Sequence, residues 1–333
     1  MSSSCAAPVG ESATIGAFNY LDKSVNHSLR RNAKVLTRRD RDGSDAGTEG
    51  VSLVEHKMAV RNARQQTATA RPTIVTNGFE LVTRPLADSN LNFLEHSQVV
   101  QHYYNECAQL VRETTDATQV FAFDHNIRSA SGEKNKQRIA GGQQVQGPAH
   151  LVHGDYTLTS APQRLRELAK PPSANDTLRA ILPAGDTLLN TASVREALEE
   201  SGRFAIINVW RSFADEPVAT HPLALCDAQS VQPQHLVVFE IHYQDRIGEN
   251  YFAKYSPEHC WYYYPGMTRD EALLIKQWDS AGELATSNGA RGDASGGRNA
   301  STFSFHSAFE DPSTPPNAPE RWSIEVRCIV LYE

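Results

Sequence analysis

His153-Gly154-Asp155 sets a histidine and a carboxylate two positions apart. On an extended segment, side chains at i and i+2 point to the same side, so both can reach one metal ion. A distant histidine would complete a two-histidine, one-carboxylate face. Non-haem iron oxygenases use that set and leave positions open for cosubstrate and O2. Alone the triplet means little, because a chain of 333 residues with 12 histidines meets it by chance about as often as not.

His306 is the distal candidate. The run 302–307 reads as a strand, in which Thr302, Ser304 and His306 share a face opposite Phe303 and Phe305. A polar face on a buried strand needs an internal reason, such as a metal or a bound polar ligand. The final run, 323–331, repeats the pattern. Arg321, Ser323, Glu325 and Arg327 alternate with Trp322, Ile324, Val326 and Cys328. The plainer reading is a strand with one solvated face. If the face is buried, an arginine there can grip the far carboxylate of 2-oxoglutarate through two parallel hydrogen bonds. Arg321 is favoured over Arg327, because Ser323 adds a hydroxyl on the same face and Glu325 is placed to pair with Arg327.

These residues need a strand-rich frame. Short apolar or alternating runs at 203–211, 235–243, 250–255, 260–264 and 273–278 are separated by turn residues, which points to a sandwich or barrel. Helices gather earlier. The clearest spans 90–112, with Asp88 or Ser89 as cap. Ser193 opens another with a capping-box pattern, ended by Gly202, and Thr268-Arg269-Asp270-Glu271 repeats that start signal. Residues 1–14, 36–50 and 281–301 are polar and Gly/Ser-rich, so they read as poorly ordered, and 281–301 as a lid over the site. The expected organisation is a helical, partly disordered N-terminal extension over 1–75 and a catalytic β-domain with supporting helices over 76–333.

Composition excludes several classes. A net charge of −7 and a pI near 6.0 offer no basic track for nucleic acid or anionic membrane. No apolar run approaches the roughly 20 residues needed to span a bilayer. The first residues lack a basic start and an apolar core, so a cytoplasmic location is expected. The 5 cysteines are odd in number, widely spaced and free of CxxC pairs, which argues against a disulfide scaffold or zinc module.

Val152-His153-Gly154-Asp155-Tyr156-Thr157 resembles the proximal motif of a fungal and bacterial hydroxylase/desaturase family of 2-oxoglutarate oxygenases. That family includes the gibberellin desaturase, asperfuranone-type enzymes and the cephamycin methoxylation component. Further matches are Asn208-Val209-Trp210-Arg211, Pro222 to Asp227, Trp261 to Met267, Phe305 to Pro312 and Arg321 to Arg327. They keep the family's order over roughly residues 118–331. The resemblance implies a double-stranded β-helix (a cupin-like jelly roll), Fe(II) held by His153, Asp155 and His306, 2-oxoglutarate and O2, with ascorbate as reductant in vitro. It also implies a small-molecule substrate oxidised at an unactivated C–H, as in secondary metabolism. Asn208 either bonds the near carboxylate of 2-oxoglutarate or satisfies backbone groups. Trp278, Trp322 and the long 281–301 stretch depart from the family pattern, which leaves the substrate and the outcome (hydroxylation, desaturation or cyclisation) open. Lys276 reads as solvated, and Glu310 and Asp311 as turn residues. Two other classes fit the same ligands. One is a metal-binding cupin-like protein without oxygenase activity. The other is a zinc hydrolase with an activated water. Oligomeric state is not legible.

Overall fold

The computed structural model describes residues 13–39, 45–173, 176–243, 246–295 and 300–332. Its strands run β1 (Ala13–Leu21), β2 (Leu36–Arg39), β3 (Asp45–Glu49), β4 (Leu53–Asn62), β5 (Phe79–Thr83), β6 (Gln119–Arg128) and β7 (His153–Gly154). They continue with β8 (Arg203–Ser212), β9 (Leu223–Cys226), β10 (Leu236–His242) and β11 (Ile247–Ala253). The last four are β12 (Trp261–Tyr263), β13 (Glu271–Asp279), β14 (His306–Ala308) and β15 (Ser323–Tyr332).

They form a 10-stranded sheet, ordered β1-β4-β12-β9-β14-β7-β11-β10-β2-β3, and a 5-stranded sheet, ordered β5-β13-β8-β15-β6. Strand alternation decides what each face of the smaller sheet meets. Ala205, Ile207 and Val209 of β8, with Ile324, Val326 and Cys328 of β15, pack on Tyr104, Cys107, Leu110 and Val111 of the helix Tyr104–Thr115. Phe204, Ile206, Ile329 and Leu331 face the other way and join Phe18, Tyr20, Trp261 and Phe303 from the larger sheet and its loops. Each buried Val, Leu, Ile or Phe among them contributes about 1.5–3 kcal/mol. Asn208, Ser323, Glu325 and Arg327 lie on that second, inward side. The solvated-face reading of β15 therefore fails: Arg321, Ser323 and Glu325 are all buried.

The mainly β fold with flanking helices is as the sequence implies, but among the described residues the N-terminal extension is built of strands, with one short 3-10 helix at Ala63–Gln65. Among the described residues, 13–62 supply four strands that lie in the larger sheet. Gly16, Phe18 and Tyr20 of β1 face inward by period two, as do Met58 and Val60 of β4. The stretch 36–50 holds β2 and β3, paired antiparallel, while 1–12 and 40–44 lie outside the described residues.

Local starts also differ. Asp88 and Asn92 side chains accept from the backbone N–H of Asn90 and Leu94, which holds 88–94 in turns. Helical structure therefore begins at His96, passes a π turn (Val99–Tyr103) and ends at Thr115. Asn190, not Ser193, caps the helix Thr191–Ala197 by accepting from Ser193 N at 2.8 Å. Glu271 does accept from Thr268 N at 3.0 Å, but this bond closes a turn into β13, not a helix, because 271–275 pair with β5 and 273–279 with β8.

The 302–307 run is a strand only from His306 onward, and Thr302 and Ser304 are buried by bonds to Asp293 and to Cys226 O. The stretch 281–301 is not a loose lid where it is described. It holds the short helix Glu283–Thr286, and the buried Asp293 carboxylate accepts from Leu284 N, Thr302 N and Thr302 Oγ1. Residues 296–299 lie outside the described residues. Lys276 is buried rather than solvated, with Nζ 3.0 Å from Asp279 Oδ2. No described helix is long and apolar enough to cross a membrane.

Candidate active site

His153 and His306 sit at the centre of the larger sheet. β7 and β14 are neighbours there, and the two histidines are direct register partners. Their rings lie 4.3 Å apart, tilted by 50°. Asp155 follows β7, so it returns to the side of His153. Asp155 Oδ1 is 3.6 Å from His153 Nε2 and 4.0 Å from His306 Nε2. One ligand atom from each residue falls within 4.8 Å of the others.

The first strand of the chain helps hold this segment. Asn19 Nδ2 donates to His150 O at 2.8 Å, and Val152 N donates to Asn19 O at 3.1 Å. Leu151 O in turn receives His153 Nδ1 at 2.7 Å. That contact puts the proton on Nδ1 and leaves the Nε2 lone pair facing Asp155. Burial, then His306, pushes the His153 pKa down to about 4, and burial likewise lowers that of His306. Burial opposes the charge on Asp155, but Arg327, His306, His153 and the Asn208 bond outweigh it and hold the pKa below the usual carboxylate range. Two neutral imidazoles and one carboxylate thus converge with no proton between them, which fits a divalent cation.

The facing sheet supplies a charged floor. Asn208 Nδ2 of β8 donates to Asp155 Oδ2 at 3.1 Å. Arg327 Nη2 of β15 lies 3.3 Å from the same oxygen, while Arg327 Nη1 is 3.0 Å from Asp124 Oδ2 and Nη2 is 3.7 Å from Glu325 Oε1. Asp155, Asp124 and Glu325 together outweigh burial and raise the Arg327 pKa. Gln277 Oε1 accepts from Asp155 N at 3.1 Å. Gln277 is the extra residue of a bulge between Lys276 and Trp278 in β13, a device that re-aims a side chain.

Arg321 sits differently. It is buried, its carbon Cζ lies 5.7 Å over the Trp210 ring, and Nη1 donates to His221 O. His221 adopts a left-handed backbone (φ 46°), which turns that carbonyl onto the arginine. Arg321 Nε and Ser323 Oγ are buried without a hydrogen-bond partner among the described residues. Burial and the Arg128 guanidinium press against the charge on Arg321, and Glu325 only partly offsets them. An unpartnered guanidinium donor and an unpartnered hydroxyl, both buried, have the chemistry to bond an anion.

Of the metal and cosubstrate candidates, His153, Asp155 and His306 converge, Asn208 and Arg327 meet Asp155, and Arg321 and Ser323 are buried. Sequence reasoning missed Asp124 and Gln277 as partners, whereas Glu325 lies 3.7 Å from Arg327, as its place on the same face implies. Asp124 was readable in principle, because Asp124, Asn126 and Arg128 alternate with His125 and Ile127 in β6. In register they oppose Arg327, Glu325 and Ser323.

An uncharacterized protein in the dcmA 3′ region of Methylophilus leisingeri is 43% identical over 194 residues, covering 58% of this chain and 88% of its own. The hydroxylase/desaturase efuI of Hormonema carpetanum is 28% identical over 273 residues, covering 77% of each chain. The Fe(II)/2-oxoglutarate-dependent dioxygenase nvfI of Aspergillus novofumigatus is 28% identical over 281 residues, covering 83% of each. The fold matches the solved iron and alpha-ketoglutarate-dependent endoperoxidase NvfI with a TM-score of 0.69, at 22% identity over 96% of this chain and 98% of that one. This fold, with a His/Asp/His set between its sheets, places the protein among the Fe(II)/2-oxoglutarate-dependent oxygenases. The chain belongs to the oxidoreductase/YMDC permease-like domain family, whose profile matches residues 18–183 and 185–331.

Proposed function

We propose that the protein oxidises an unactivated C–H bond of a small molecule in a biosynthetic pathway, within the cytoplasm. His153, Asp155 and His306 would hold Fe(II), and Arg321 with Ser323 would hold 2-oxoglutarate. Iron, 2-oxoglutarate and O2 together supply an oxidant able to take a hydrogen atom from carbon, with succinate and CO2 as the other products.

The chain's own groups supply position and charge. Arg321 offers its Nε edge and Ser323 its hydroxyl to the far carboxylate, and Trp210 backs the guanidinium. Charge-assisted bonds of this kind contribute about 1.5–3 kcal/mol each. The Asp155 carboxylate and the neutral imidazoles complement a dication. Phe303 and Phe305, buried against Tyr251 and His259, belong to the apolar core that precedes His306 in the chain.

The observation that carries this reading is the buried Arg321, whose Nε, like the hydroxyl of Ser323, has no hydrogen-bond partner among the described residues. A storage cupin or a zinc hydrolase has no use for it. Residues 76–333 would carry the whole site, with 13–62 acting as support. The test is aerobic incubation with Fe(II), ascorbate, 2-oxoglutarate and a panel of small molecules, with succinate measured. Succinate that requires both iron and O2 supports the proposal. Product formation that is unchanged without O2 would favour the hydrolase.

A further inference from the structure

The floor beneath the triad has a second role, which rests on the triad reading and extends it. Asp155 has two oxygens in different surroundings. Oδ1 faces both histidines, at 3.6 and 4.0 Å. Oδ2 faces the opposite sheet, where Asn208 Nδ2 lies at 3.1 Å and Arg327 contributes Nη2 at 3.3 Å and Nε at 3.4 Å. We propose that Arg327 and Asn208 are positioning residues that occupy Oδ2 and so fix Asp155 as a one-oxygen metal ligand.

Three observations support this. The two donors come from adjacent strands, with Arg327 and Asn208 as register partners on β15 and β8, so their side chains converge on one point. Arg327 is anchored from behind, because Nη1 pairs with Asp124 Oδ2 at 3.0 Å and the guanidinium therefore cannot swing toward a ligand without breaking that pair. Gln277 fixes the backbone of Asp155 from a third strand. A carboxylate free to rotate would offer both oxygens to a metal and use a coordination position that cosubstrate or O2 needs. Partners that orient a ligand in this way typically change metal affinity by 10–100-fold when removed.

The test uses Co(II) as a probe of the full chain without iron. Affinity is measured by titration, and the visible absorption of bound Co(II) reports coordination number. Asp155→Ala, Arg327→Met, Arg327→Lys, Asn208→Ala and Arg321→Met are compared with the wild type, and melting without metal is followed for each. Arg327→Met and Asn208→Ala should each weaken Co(II) binding at least about tenfold and alter its absorption. Arg327→Lys should recover part of the loss, and Arg321→Met should bind Co(II) as the wild type does. Wild-type affinity and absorption in Arg327→Met and Asn208→Ala, with binding lost in Asp155→Ala, would overturn the proposal and leave the triad intact. If Arg327→Met does not fold, Asn208→Ala decides by the same criterion. Undiminished binding in Asp155→Ala would overturn the triad reading and this proposal with it.

Discussion

His153 and His306 face each other across neighbouring strands of one sheet, with ring centroids 4.3 Å apart. Two imidazoles so placed and so buried cannot both be protonated, and each lowers the other's readiness to charge. They stay neutral near pH 7 and present lone pairs, as metal ligands must. His153→Ala, Asp155→Ala and His306→Ala should each abolish turnover and lower metal content, while far-UV circular dichroism stays native. A variant that keeps full activity removes that residue from the ligand set.

Arg321 and Arg327 separate by what already surrounds them. Arg327 is paired with Asp155, Asp124 and Glu325, whereas Arg321 has a carbonyl and an indole face. Arg321→Ala should lower 2-oxoglutarate affinity at least tenfold, since about 1.4 kcal/mol is a factor of ten and one charge-assisted bond exceeds that. Calorimetric titration of 2-oxoglutarate into the metal-loaded variant measures it. Unchanged affinity in Arg321→Ala, with affinity lost in a folded Arg327→Ala, would reverse the assignment.

The site was more legible than its setting. His153, Asp155 and His306 stand out because ligand chemistry restricts residue type and because His-x-Asp has a fixed direction on an extended chain. The face of Arg321, Ser323, Glu325 and Arg327 was visible as alternation, but alternation does not say whether water or a second sheet lies opposite. Asp124 answers Arg327 across 203 positions of sequence: the alternation that marks Asp124 is local, but the partner it meets is set by the register of β6 on β15. The bulge that aims Gln277 depends on a register slip between β13 and β8, which no local pattern encodes. Glu271 bonds back to Thr268 as in a capping box, because the bond closes the same small turn whether helix or strand follows. The stretch 281–301 misled by composition: Asp293 fastens it through three bonds that the abundance of glycine and serine conceals.

The N-terminal strands are part of the structure that holds the site. Phe18 of β1 is fully buried and stacks on Trp261 with centroids 4.4 Å apart. Phe18→Ala should cost about 3–5 kcal/mol, as for other buried aromatic truncations. Urea unfolding measures this, and a loss below about 1 kcal/mol would mean that β1 contributes little to the core.

Acid should weaken the fold through histidines buried in the neutral form. His125 Nδ1 and Tyr104 Oη are hydrogen-bonded at 2.8 Å, and burial pushes the His125 pKa from 6.5 down to about 4. The unfolded chain takes up this proton near pH 6.5 and the folded chain only near 4, so stability present above pH 6.5 is lost as the pH falls through that window. Between pH 7 and pH 5 the loss from this group is about 2 kcal/mol, at roughly 1.4 kcal/mol per pH unit. His125→Gln keeps a hydrogen-bonding side chain for Tyr104 and cannot titrate, so its stability should change less over the same interval. Equal changes in both proteins would show that His125 does not titrate in this way.

The most direct test of the account needs no knowledge of the substrate. Under anaerobic conditions, 2-oxoglutarate is titrated into the Fe(II)-loaded protein while visible absorption is recorded. Chelation of iron(II) by the 2-oxo acid produces a metal-to-ligand charge-transfer band. The wild type should develop this band saturably, Arg321→Ala only at much higher 2-oxoglutarate, and Asp155→Ala not at all. A wild-type protein that binds Fe(II) yet shows no band at any 2-oxoglutarate concentration would contradict the assignment of this site as an oxygenase centre.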